Sequence, residues 1–130
     1  MSGDFDWVNA RAACSLSVVF KELEFGARHD IDAIKVKRPD AEGEFKVVLD
    51  DGQRHFAVIR ERRTRTDSVN FTLEDTQIIV KNPGPGGVSF IATLTLNDNG
   101  ECRLKVHGKE LEPWQVRRKA LEDLLFGPKT

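Results

Sequence analysis

The stretch EFKVVLDDGQRHFAVIRE, residues 44–61, decides the fold. Phe45, Val47 and Leu49 alternate with Lys46, Val48 and Asp50, the period of two that gives a strand one core-facing side. Asp51-Gly52 follows, a dipeptide suited to the positive φ angles of a tight hairpin turn. The next strand places Phe56, Val58 and Arg60 on one face and Ala57 and Ile59 on the other. Strands joined this closely pair antiparallel, since a parallel pair needs a crossover of roughly a dozen residues or more.

The same period continues downstream. Val69, Phe71 and Leu73 alternate with Asn70 and Thr72, and Glu74-Asp75-Thr76 turns the chain into Ile78-Ile79-Val80. The loop Asn82-Pro83-Gly84-Pro85-Gly86-Gly87 leads to a strand with Val88, Phe90, Ala92, Leu94 and Leu96 inward. Asn97-Asp98-Asn99-Gly100 is a strong turn signal before Cys102, Leu104 and Val106. Six strands are expected, in an antiparallel meander. A helix then opens at Glu112-Pro113, where proline's missing N–H costs nothing. Val116, Ala120, Leu121, Leu124 and Leu125 form its apolar stripe, Trp114 is expected to anchor it on the sheet, and Gly127-Pro128 ends it.

Upstream, the period is helical. Asp4 is expected to cap a helix from Phe5, and Phe5, Val8, Ala12, Leu16, Val19 and Leu23 make one face. The spacing resumes beyond Gly26 as Ala27, Ile31 and Ile34. A glycine inside a helix costs only about 1 kcal/mol against alanine, so one long helix to about residue 35 is expected, with Gly26 as its kink point. Pro39 and Asp40–Gly43 stop it. The fold class is therefore α+β: a long N-terminal helix, the meander, and a C-terminal helix packed on one sheet face in two layers. In outline that order resembles the helix-grip and other cup-like ligand-binding folds, though no motif carries the resemblance and fold does not fix function.

A chain of 130 residues suits one domain. Lys and Arg number 20 and Asp and Glu 21, so there is no basic excess of the kind that draws phosphate backbones, and no nucleic-acid partner is expected. The acidic start, Asp4-Phe5-Asp6, does not read as a signal peptide, and apolar runs such as Val18-Val19-Phe20 are too short to cross a bilayer. Cys14 and Cys102 lie among apolar neighbours and read as buried free thiols, which suits a reducing cytoplasm.

Two groups of residues stand out as candidate surfaces. Val48, Ile59, Ile79 and Ile91 fall on the sheet face that the helices do not need; brought together, they would make a patch for a dimer partner or a ligand. Arg60, Arg62, Arg63 and Arg65 form the most basic stretch. Planar guanidinium forks there suit an anion, although charge runs at turns more often pair with nearby carboxylates such as Asp67, Glu74 or Asp75.

No catalytic set is recognisable. His29, His55 and His107 are isolated in sequence, and no CxxC or paired-histidine spacing suggests a metal; no cofactor is implied. Cys102 and His107 sit an odd number of residues apart and should point to opposite faces of a strand. The leading expectation is a non-enzymatic interaction protein, a homodimer using the outer sheet face or the first helix. A small apolar-ligand cup comes second, and a small hydrolase or isomerase in such a cup third.

Overall fold

A computed structural model describes residues 4–50, 52, 54–84, 87 and 89–127. Asp51 of the expected hairpin turn, Pro85 and Gly86 of the loop, Val88, and Pro128 after the last helix lie outside the described residues. The elements run α1 (Trp7–Ala13), α2 (Leu16–Lys37), β1 (Glu44–Leu49), β2 (His55–Glu61), β3 (Thr66–Leu73), β4 (Ile78–Lys81), β5 (Ser89–Leu96), β6 (Cys102–Val106), β7 (Lys109–Leu111) and α3 (Pro113–Phe126). Each strand pairs antiparallel with the next, in the order β1-β2-β3-β4-β5-β6-β7. The fold is α+β, with the meander expected from the alternating pattern.

Four local readings need correction. The sheet has seven strands because His107 and Gly108 take φ angles of 52° and 78° and close a two-residue hairpin, folding Lys109–Leu111 back on β6. The first helix breaks at Cys14-Ser15 and runs unbroken through Gly26. Ser15 is extended, and its side chain accepts from the Val18 amide at 3.2 Å, which starts a new helix there. Asp6, two residues later than expected, caps α1 by accepting from the Asn9 amide.

The fourth correction concerns the thiols. Cys14 and Cys102 are joined in a disulfide, their Cα atoms 5.5 Å apart. Sequence separation hid this, because only the folded sheet brings the end of α1 to the start of β6.

Both long helices cover one face of the sheet. Val19, Phe20, Leu23, Ala27, Ile31 and Ile34 from α2, and Val116, Ala120, Leu121, Leu124 and Leu125 from α3, meet the inward side chains of the strands in one core. Phe56 stacks on Phe71 with ring centres 4.4 Å apart, and Phe20 tilts against Phe56 at 5.2 Å. These rings fill the space between sheet and α2. No helix among the described residues is long and apolar enough to cross a membrane.

A candidate interaction groove between the two long helices

The four outward aliphatics do not form one patch. Ile79 on β4 faces Ile91 on β5 directly, while Val48 on β1 faces Ala57 and lies diagonal to Ile59 on β2. Ser68, Asn70 and Thr72 of β3 run between these two pairs. His55 lies in that polar band, with Nε2 at 3.1 Å from Asn70 Oδ1.

The arginines also separate. Arg60 is 3% exposed on the inward face, where Nε donates to the Glu42 carbonyl at 2.9 Å and a terminal nitrogen donates to the Leu124 carbonyl at 3.0 Å. Its guanidinium also lies 4.9 Å from the Phe45 ring centre. Burial, aided by the charge of Arg62, lowers its pKa from the ordinary value, yet a guanidinium stays protonated in proteins. It serves α3 as a C-terminal cap delivered from a strand. Arg62 and Arg65 both bond Asp67 Oδ2, the latter at 2.9 Å. Arg63 is exposed in the β2–β3 turn. The four therefore do not converge on one anion-sized space.

A different place gathers apolar surface. Where α2 and α3 lie side by side, a groove of about 410 Å³ opens to solvent. Buried Ile34, Leu121 and Leu125 floor it. Trp114 at one end and Phe126 at the other are 50% and 57% exposed, so neither is used up by the core. Ala33, Lys37, Arg118 and Glu122 complete the rim. A second hollow, about 450 Å³, lies on the other side of Trp114 and Arg118 against His107, Lys109 and Leu111.

The groove has a fixed strut. Arg117 Nε donates to Asp30 Oδ2 at 2.8 Å, with the two side chains 18% and 29% exposed. The arginine reaches α2 by lying across Gly26, where any Cβ would collide with its guanidinium. Sequence periodicity alone assigns Arg117 to solvent and treats Gly26 as a weak point of the helix. The pairing of the two helices reverses both readings.

Among the described residues no group of three or more His, Cys, Asp or Glu side chains is placed to hold a metal ion. Phe25 and Val36, 64% and 75% exposed, sit on the solvent side of α2. Comparison of the chain with protein-family models, curated proteins and solved structures gives no match.

Proposed function

We propose that this chain is a non-enzymatic interaction protein that self-associates as a homodimer, with the groove between α2 and α3 as the contact. The observation that carries the reading is the pair of half-exposed aromatics, Trp114 and Phe126, bracketing an apolar floor. Aromatic anchors around desolvated pockets supply most of the energy of protein interfaces. Covering such surface is favourable by roughly 25 cal/mol per Å² before the costs of association. The Arg117–Asp30 strut supports the reading further, because a preformed groove loses little entropy on filling.

The filled core beneath α2 favours this over a ligand held between sheet and helix. The disulfide removes the premise of the cytoplasmic expectation and favours a compartment where such bonds persist.

Light scattering across a concentration series tests the proposal. The native chain should give twice the monomer mass, and Ala33→Glu combined with Phe126→Ser, both at exposed rim positions, should give a folded monomer. A native chain that stays monomeric throughout, or a variant that remains dimeric, overturns it.

A further inference from the structure

Trp114, Arg118, Glu122 and Phe126 recur at four-residue steps along α3. That spacing sets them on a single ridge of the helix surface, inclined about 26° to its axis. The ridge walls the α2–α3 groove, and its first three residues also line the hollow against Lys109 and Leu111 on the other side. All four are at least half exposed: Trp114 and Phe126 by 50% and 57%, the side chains of Arg118 and Glu122 by 66% and 55%. Within the chain Arg118 pairs with Glu122 at 3.5 Å, and Arg38 lies 5.7 Å from the Phe126 ring centre. An ion pair this open to water adds little to the stability of a monomer.

Resting on the groove reading above, we infer that the occupant of the groove is the same ridge of a second copy, with the two α3 helices antiparallel about a two-fold axis at the level of Ala120. The sequence of the ridge carries this, because it is complementary to its own reverse. In the antiparallel pairing Trp114 meets the partner's Phe126 and Arg118 meets the partner's Glu122. Both contacts recur on the other side of the axis, as an isologous interface requires. Each Arg118 then stands between two carboxylates, its own Glu122 and the partner's Glu122, so the pair within the chain is kept and extended.

Charge also fixes the register. A slip of one turn in one direction sets Glu122 against the partner's Glu122, and a slip in the other sets Arg118 against the partner's Arg118. A parallel pairing about a two-fold axis does both. Like charges facing each other across an interface oppose association, which leaves the antiparallel register centred on Ala120.

The packing this requires is an ordinary one. Four-residue ridges of two helices interdigitate when their axes cross at about −50°, the commonest class of helix contact in globular proteins. Each ridge then enters the groove beside the other, over the apolar floor of Ile34, Leu121 and Leu125.

Charge reversal on the oxidised full chain tests the pairing. Arg118→Glu makes the centre of the contact wholly acidic and Glu122→Arg makes it wholly basic, both at exposed positions. Each variant alone should raise the dimer dissociation constant at least about tenfold in sedimentation equilibrium. An equimolar mixture, with one variant ¹⁵N-labelled, should recover the dimer, and native mass spectrometry should find one chain of each kind in it. Variants that dimerise alone as the native chain does, or a mixture that stays monomeric, overturn the antiparallel pairing. If either result comes while Ala33→Glu with Phe126→Ser is monomeric and the native chain dimeric, the groove reading stands and only the pairing is wrong. A native chain monomeric at every concentration removes both.

Discussion

Arg117 of α3 rests on Gly26 of α2, and the missing side chain is what lets its guanidinium bond Asp30 at 2.8 Å. A glycine in mid-helix normally weakens it by about 1 kcal/mol relative to alanine. Here that cost is offset by an ion pair, mostly out of solvent, that locks two helices side by side.

Gly26→Ala should therefore fail to stabilise the protein, shifting urea stability by no more than about 0.5 kcal/mol, because the gain in helix propensity is spent displacing Arg117. In an Arg117→Ala background the same change should stabilise by about 1 kcal/mol. Equal effects in both backgrounds would show that the gap has nothing to do with the arginine.

Arg60 is the second place where a charge inside the core is structural. Arg60→Met should cost about 2–4 kcal/mol, since charge-assisted bonds contribute about 1.5–3 kcal/mol each and the Leu124 carbonyl loses its donor. Hydrogen exchange should rise first in the last turn of α3. A variant with native stability would mean that water replaces the guanidinium without penalty.

Replacing both cysteines by serine should lower stability by about 4 kcal/mol, the scale expected when a bridge across 88 residues no longer constrains the unfolded chain. Amides of residues 7–13 should lose protection entirely while those of β2 and β3 keep it. Protection retained in α1 would show that unrecognised packing holds it.

The strands were legible because their period of two is a property of each segment by itself. β7 was not: a His-Gly turn does the work usually done by Asn-Gly, although histidine is among the non-glycine residues that accept positive φ. The helix break was sought at Gly26, the one residue with low helix propensity, and occurs at Cys14-Ser15. There the cap of Ser15 and the bond to β6 set the boundary, and the second of these depends on a residue 88 positions away. The groove was illegible for the same reason. Trp114, Arg117 and Phe126 read as ordinary residues of an amphipathic helix until α2 is placed beside them. The apolar character of Phe5, Trp7 and Val8 was visible, but absorbing them into a long core helix concealed that they stay exposed.

The bond between Cys14 and Cys102 also changes how the molecule bears load. It turns α2 and the first five strands into a closed covalent ring. Tension applied at the two ends passes through the bridge straight into β6, bypassing everything inside the ring. At about 3.5 Å per residue, the bridge withholds about 300 Å of chain until it is reduced. A molecule pulled from outside the ring would thus lose β6, β7 and α3 while α2 and β1–β5 stay inside the bridge, and a reductant would be what releases the remaining length.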